Sequence, residues 1–533
     1  MSAPAPQHAS AWTPLRHDTF RALWIAQFVS NVGTWMQSVG AVWVMVDLKG
    51  SPTEVALVQT ATTLPVVFFG VVGGALADLA DRRRVLLATQ AMMLLAAGAL
   101  ALLDSIGFIS PISLLALTFA LGIGTALNSP AWQAIQPELV PRDEFPQAVT
   151  LGGASINLGR AIGPAIGGFL VAVAGSWFVF LLNALSFGAV IVVLARWHRD
   201  PDNDEGPPER FAGAVRAGTR YALYSHALTG VLVRAGAFSA ASAGLMALLP
   251  VYSTAVLGLG SGGFGLLLAC FGIGAIGAAA FLPALRARAG EDGVIALGTI
   301  GVAAALLALA VIDTTALAMA MIVVAGAAWL LCLSTFNVAS QQAVPGWVRA
   351  RGLSFYLSVF SGGIALGSAV WGVVAGALGS QPAFAWGALA VALTLLLGLR
   401  WKLQSTSELD LSPAPMFAPE MRLGPEDAGG PVFVTLTYDV RPDAYQGFLS
   451  ALERLRRARR RTGAVQWAVY RDAEQPDQFI ETFIVPSWDE HLRQHGRRTA
   501  TDLQLQEELR PFVRNGELPH ARHYVAPHRR APR

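Results

Sequence analysis

Gly159-Arg160-Ala161-Ile162-Gly163-Pro164-Ala165-Ile166-Gly167-Gly168 lies inside a long apolar run and holds four glycines and a proline in one short stretch. In a water-exposed helix each of those glycines would cost about 1 kcal/mol. Between membrane helices the same small residues let two backbones approach closely. The stretch therefore reads as a lipid-embedded helix with a tightly packed neighbour. Pro164 removes one backbone donor and permits a bend. The spacing of Gly159, Gly163 and Gly168 returns in Gly363, Gly367 and Gly372, so the chain reads as two related halves.

Working outward, the composition agrees. Of 533 residues, 54% are hydrophobic and 14% charged, against roughly 25% charged in a soluble domain. A crossing helix needs roughly 20 apolar residues. Such runs fall at about 20–46, 54–76, 84–103, 111–133, 147–172, 177–195, 226–251, 262–284, 293–312, 316–340, 353–378 and 382–400. The first run, beginning near Phe20, is too long for a cleaved leader and reads as a retained span. Cys270 and Cys332 sit in apolar runs and read as free thiols.

The expected architecture is an all-α membrane protein of twelve helices in two six-helix halves. Its divisions are a tail (1–19), a first bundle (20–195), a central loop (196–225), a second bundle (226–401) and a linker (402–431). A small α+β domain (432–526) and a basic tail (527–533) complete the chain. Arginines fall in alternate loops, among them Arg82, Arg83, Arg84, Arg196, Arg286, Arg349 and Arg400, while the opposite loops hold Asp47, Lys49, Asp104 and Asp313. The positive-inside rule then expects both termini in the cytoplasm of a bacterial-type inner membrane. The halves share a second signature, Asn128-x-x-x-x-Gln133 against Asn337-x-x-x-x-Gln342. Parallel repeats of this kind suit a transporter that binds substrate between its halves.

Polar residues at membrane depth are the candidate functional groups. Arg160 and Arg234 are the intramembrane charges, each read either as an anion contact or as a paired structural arginine. Asn31, Asn128, Gln133, Asn157, Asn337 and Gln342 are candidates for lining an aqueous path, or for hydrogen bonds between helices. No Asp or Glu lies clearly mid-span. No phosphate-binding Gly-rich loop, metal-ligand cluster or nucleophile elbow is present in the sequence, so no metal, cofactor or nucleic acid is expected.

After Lys402 the chain turns Ser-, Pro- and Gly-rich, then changes period. Val432, Val434, Leu436, Tyr438 and Val440 alternate as a strand. A helix follows over 443–461, with Tyr445, Phe448, Leu449, Leu452 and Leu455 on one face. Strands are expected at 465–471 and 479–485, and Ser487–Glu490 reads as a capping box. A further helix to about Arg514 and a last strand at 520–525 complete a β-α-β-β-α-β, ferredoxin-like order. Trp488, His491 and His495 make a tempting catalytic set but read as packing and surface residues on that capped helix. The Arg454–Arg461 cluster reads as a solvated face or a seat for anionic headgroups.

Two motifs carry a resemblance. Gly74, Leu76, Asp78, Arg82, Arg83 and Leu86 match the loop signature of the major facilitator superfamily, with Leu79 and Asp81 departing from it. Gly159, Gly163, Pro164, Gly167 and Gly168 match the motif of its antiporter-type exporters. The phrases around Asn128-Ser-Pro130 and Asn157-Leu-Gly-Arg160 resemble the enterobactin-exporter-like, transmembrane secretion effector branch. The C-terminal region resembles the antibiotic-biosynthesis-monooxygenase group, whose members pair into dimeric barrels.

The resemblance implies a secondary-active, proton-coupled exporter of small amphipathic molecules (siderophore, drug or secondary metabolite) working by alternating access. It implies a cytoplasmic gate at Gly74, Asp78, Arg82 and Arg83, with Asp78 facing a helix N-terminus of the opposite half. Self-association through the tail domain is a further implication. A membrane-tethered oxidoreductase with a catalytic tail and a non-transporting sensor stand as alternatives.

Overall fold

The computed structural model describes residues 12–141, 144–197, 211–403, 410–414, 419 and 429–526. Arg142, Arg199, Arg210 and the basic tail lie outside them. The chain divides into two compact units. One comprises Met1–Pro208, Leu232–Asn337 and Tyr356–Lys402, and the other Glu209–Val231, Val338–Phe355 and Leu403–Arg533.

The first unit is helical. It contains α1 (Asp18–Asp47), α2 (Pro52–Leu79), α3 (Arg82–Ser105), α4 (Pro111–Leu139), α5 (Phe145–Ala174) and α6 (Ser176–Arg196). Between α6 and the next long helix comes α7 (Phe211–Tyr224), which belongs to the second unit. Then follow α8 (His226–Ala255), α9 (Ser261–Leu309), α10 (Thr315–Gln342), α11 (Arg349–Leu378), α12 (Ser380–Leu393) and α13 (Leu395–Arg400). Local chemistry sets the starts. Ser51 and Glu54 form a capping box ahead of α2, and Pro52 sits at its first position, where a missing N–H costs nothing.

Among the described residues, ten helices are long and apolar enough to cross a membrane. The thirty-residue α1 is not among them; it carries Gln27, Asn31, Thr34 and Gln37. The 49-residue α9 counts once. At 1.5 Å per residue it would be more than twice the roughly 30 Å hydrocarbon core. It is broken at Gly290, whose φ of 66° is left-handed.

The repeated glycines dock equivalent partners. A Cβ on Gly163 would lie 2.6 Å from Trp35 Cβ, and one on Gly167 2.8 Å from Met36 Cα, so α5 packs backbone to backbone on α1. A Cβ on Gly363 would lie 2.7 Å from Gly236 O, and one on Gly367 2.8 Å from Ala240 Cα, so α11 packs on α8 in the same way. The last glycine of each motif turns to the other half. Gly168 meets Gly265 of α9, and Gly372 meets Ala56 and Thr53 of α2. Gly175 and Gly379, with φ of 87° and 90°, then turn the chain into α6 and α12. The α2–α11 crossing between halves is also hydrogen-bonded, Thr53 Oγ1 donating to Gly372 O at 3.1 Å and Thr60 Oγ1 to Ala365 O at 2.9 Å.

The second unit holds a four-stranded antiparallel sheet of β1 (Val432–Asp439), β2 (Gln466–Arg471), β3 (Gln478–Val485) and β4 (Arg522–Val525), in the order β2-β3-β1-β4. One face is covered by α14 (Tyr445–Thr462), α15 (Trp488–Gly496) and α16 (Ala500–Glu507). The core is built from the expected alternation, Val432, Val434, Leu436 and Tyr438 all being buried. Leu449 is a correction, since it is 39% exposed. One residue past buried Phe448 it is rotated about 100° off the core face. The helix expected to reach Arg514 stops at Glu507 and is followed by a short 3-10 turn at Arg510–Phe512.

Candidate functional site

In the first unit a cavity of about 650 Å³ opens between α1, α3, α4, α5 and α6, with Asn337 of α10 also in its wall. Its aromatic lining includes Phe20, Trp24, Trp132 and Phe145, and its polar lining includes Asn31, Asn128 and Gln133. No charged side chain is among the described residues that line it. The amides are held in short chains. Gln27 Nε2 donates to Asn31 Oδ1 at 3.1 Å, and Asn31 Nδ2 to Ser155 Oγ at 2.9 Å. Thr89 Oγ1 donates to Asn128 Oδ1 at 3.0 Å. Such bonds fix which polar atoms remain for a guest.

The structure thus brings together Asn31, Asn128, Gln133 and Asn337, while Arg160, Arg234 and Gln342 stand outside that lining. Arg160 lies over the Trp35 ring at 5.2 Å, a cation–π contact in the helix crossing itself. Its Nε has no hydrogen-bond partner. Arg234 is not a cavity residue. It is buried, pairs with Asp292 and donates to Trp401 O at 2.9 Å. Removing a buried guanidinium from water is costly, and a carboxylate within reach captures it. Asp292 lies at an interhelical turn in the sequence, which hid the pairing.

The basic turn ties helices of the first half. Asp81 caps α3 by accepting from Arg84 N at 2.9 Å. Arg82 bonds Glu138 at 2.7 Å and Ala134 O at 3.1 Å on α4. Arg83 donates to Leu194 O and Ala195 O at 2.8 and 2.7 Å, placing a cation on the α6 C-terminus, where the helix dipole favours it. The Asp78 side chain lies outside the described residues. Gly74 would accept a Cβ with nothing within 4 Å, whereas at neighbouring Gly73 a Cβ would lie 2.7 Å from Ala126 O. The close approach between α2 and α4 therefore belongs to Gly73, which the motif does not mark. Glu138→Gln and Arg82→Gln, made singly and together, should show a coupling of about 1 kcal/mol or more in thermal unfolding of the detergent-solubilised protein. Strict additivity would dismiss the pair as a brace.

The second unit contains a cluster that sequence reading treated as surface. Arg220 of α7 bonds Gly463 O at 3.0 Å and Glu490 at 3.1 Å, and Arg497 bonds the same carboxylate at 2.6 Å. Ser487 still caps α15, accepting from Glu490 N at 3.2 Å, but the Glu490 carboxylate serves the arginines. Arg460 donates to Tyr224 Oη at 2.8 Å, and Arg461 pairs with Asp502 and lies over Tyr221. Arg459 is held by buried Glu481 at 3.1 Å. The Arg454–Arg461 run is therefore largely consumed by internal pairs.

His491, His495 and His523 also converge here, one ring nitrogen from each lying within 4.8 Å of the other two. Burial, and then the neighbouring His523, pushes His491 down to about 4; burial, and then His491, pushes His495 down to about 3. All three rings are therefore neutral near pH 7, burial lowering His523 as well. Sequence spacing could pair His491 with His495 one turn apart, but His523 arrives on a separate strand.

A family model described as transmembrane secretion effector matches residues 9–531. The chain belongs to that family. That family is a branch of the major facilitator superfamily. Over 174 residues the chain is 29% identical to a staphyloferrin A transporter of Staphylococcus aureus, covering 32% of this chain and 44% of the relative. Over 229 residues it is 29% identical to the enterobactin exporter EntS of Shigella boydii, covering 43% of this chain and 54% of the relative. The chain thus spans about half the length of the curated relatives it matches.

The fold is shared with solved transporters. The nucleoside transporter NupG superposes with a TM-score of 0.54 at 14% identity, over 73% of this chain and 100% of that one. An inward-facing, unoccupied bacterial homologue of the human lysosomal transporter Spinster gives 0.56 at 16% identity, over 73% and 95%. This family member is thus a multi-pass membrane protein with a small C-terminal sheet.

Proposed function

We propose that the chain is a secondary-active exporter of small amphipathic molecules, with aromatic, hydrogen-bonding compounds that carry little net charge as its favoured cargo. The observation that carries this reading is the neutral, aromatic and amide-lined cavity of about 650 Å³, a size suited to a drug-like molecule. Relatives named as a staphyloferrin A transporter and an enterobactin exporter support small-molecule transport in general. The crossings Gly168–Gly265 and Gly372–Ala56 hold the halves together near the loops that carry Asp47, Asp104 and Asp313, while Phe20, Leu139 and Phe145 line the cavity toward the arginine-bearing loops. With the arginine side cytoplasmic, both termini are cytoplasmic and this conformer is open inward.

In this reading twelve spans are made by adding α1 to the ten apolar helices and dividing α9 at Gly290. The gate is the basic turn with Gly74, Asp78, Arg82 and Arg83, and the antiporter-type motif Gly159, Gly163, Pro164, Gly167 and Gly168 seals the crossings. Asn31, Asn128, Gln133 and Asn337 contact cargo, Arg160 braces α5 on α1, and protons drive the cycle. The C-terminal domain (432–526) is a ferredoxin-like unit akin to the antibiotic-biosynthesis-monooxygenase group. Its strand order, and the exposure of Phe433, Tyr470 and Tyr524 on the uncovered sheet face, favour pairing with a second copy.

The test is efflux of a substrate panel, including catecholate and carboxylate siderophores, from a deletion strain. Expected results are chain-dependent efflux that collapses with a proton uncoupler, and a several-fold higher KM for Asn128→Leu. Efflux insensitive to the uncoupler would remove proton coupling, and no efflux of any amphipathic compound would remove the reading.

A further inference from the structure

Four of the chain's nine histidines line one cavity of about 160 Å³ in the C-terminal domain: His491, His495, His520 and His523. Three of them form a compact triangle. The His491 ring lies 4.8 Å from His495 and 4.8 Å from His523, centroid to centroid. Spacing of four residues puts His491 and His495 on one face of α15, and β4 carries His523 against them.

The tautomer of His491 is set by its neighbour. Gln494 Nε2 donates to Arg459 O and Thr462 Oγ1, both at 3.4 Å. That turns Gln494 Oε1 toward the ring, where it accepts from His491 Nδ1–H at 3.2 Å. The Nε2 lone pair of His491 is then free, and that nitrogen is buried with no partner. His523 Nε2 is likewise buried and unpaired. A buried polar atom left unsatisfied is destabilising, and here two lie in the same hollow. A ring nitrogen fixed by a hydrogen bond at its other nitrogen is how metal-binding histidines are usually held.

We propose that the C-terminal domain binds one first-row transition-metal ion of the zinc class through His491, His495 and His523, with a fourth position open to the cavity. Three imidazoles suit zinc, cobalt, nickel or copper rather than calcium or magnesium, which take oxygen ligands. Tetrahedral geometry with metal–nitrogen bonds near 2.0–2.1 Å needs nitrogens about 3.3 Å apart. Side-chain rotations of about an ångström close the triangle to that spacing. Arg459 and Arg498 share the lining, so an anion such as a carboxylate or phosphate is the fourth ligand that balances the charge. Arg459 is already neutralised by Glu481.

The full-length protein, purified in detergent without a polyhistidine tag and stripped with chelator, is titrated with Co2+. The expected result is one Co2+ per chain with the intense visible bands of a four-coordinate site, displaced by Zn2+. His495→Gln and His523→Gln should each weaken binding by about tenfold or more, and His226→Gln on α8 should not change it. Substoichiometric Co2+, or equal affinity in both cluster variants, overturns the proposal. If a variant loses amide protection over 432–526, the unmodified protein decides: Zn2+ must block carbethoxylation of His491, His495 and His523 but not of His226. Modification unaffected by Zn2+ equally overturns it.

Discussion

Gly168→Leu should abolish transport while leaving membrane insertion intact. A Cβ at this position would lie 2.7 Å from Gly265 Cα and 2.8 Å from Ser261 O. Both obstacles are backbone, so no rotamer change relieves the clash, and the cores on either side are close-packed. From the other helix, a Cβ on Gly265 would lie 2.9 Å from Gly168 Cα. The α5–α9 crossing must therefore open by more than a side-chain adjustment, and the conformer closed at the acidic-loop end is lost. Efflux should fall by at least about tenfold, equivalent to roughly 1.4 kcal/mol against that conformer. Gly372→Leu, blocked by Ala56 Cβ at 2.6 Å on the other crossing, should behave alike. Spin-label distances between α5 and α9 should lengthen in Gly168→Leu. Normal efflux with an unchanged distance would show that the crossing is not part of the cycle.

The second large effect lies in the C-terminal domain. Glu481 is fully buried and accepts from Arg459 Nε at 3.1 Å, Trp467 Nε1 at 3.0 Å and Tyr438 Oη at 2.9 Å. Glu481→Gln keeps the shape and removes the charge, leaving the Arg459 guanidinium without its partner in the domain interior. Breaking a buried pair from one side typically costs about 3–5 kcal/mol. A domain of this size has only about 5–15 kcal/mol in total. Hydrogen exchange over 432–526 in the full chain should accelerate by two or more orders of magnitude, roughly 3 kcal/mol, while α1–α6 keep their protection. Glu481→Leu with Arg459→Leu, which removes both charges, should cost less than Glu481→Gln alone. Protection unchanged in Glu481→Gln would mean that Arg459 finds water or another anion.

Much of the molecule was legible because lipid imposes a simple rule. Every span must be long, apolar and internally hydrogen-bonded, so the runs from Phe20 to Arg400 stood out in one dimension. The two glycine motifs were legible for the same reason, since only close backbone contact between helices calls for that spacing. What spacing could not provide was the partner. Gly168 reads like Gly163, yet one meets α9 and the other α1, because residues five apart point to different sides of a helix. Gly73 and Gly74 are neighbours in sequence, and only the α4 backbone distinguishes the one that must be small.

The polar residues divided in the same way. Asn31 and Asn128 were marked as a set because amides are rare in such runs, and the fold places both at the cavity. Arg234 was marked on the same ground, but its partner Asp292 lies 58 residues away. The arginine run at 454–461 looked solvated for want of visible partners, until Glu481, Asp502 and Tyr224 converged on it from other elements. By itself, the sequence determined what must be dissolved in lipid, what must alternate in a sheet and where two halves repeat, since these follow from local period and composition. Tertiary structure alone decided which charges neutralise one another and which three imidazoles meet, because a pair energy depends on distance in space and the chain encodes only order.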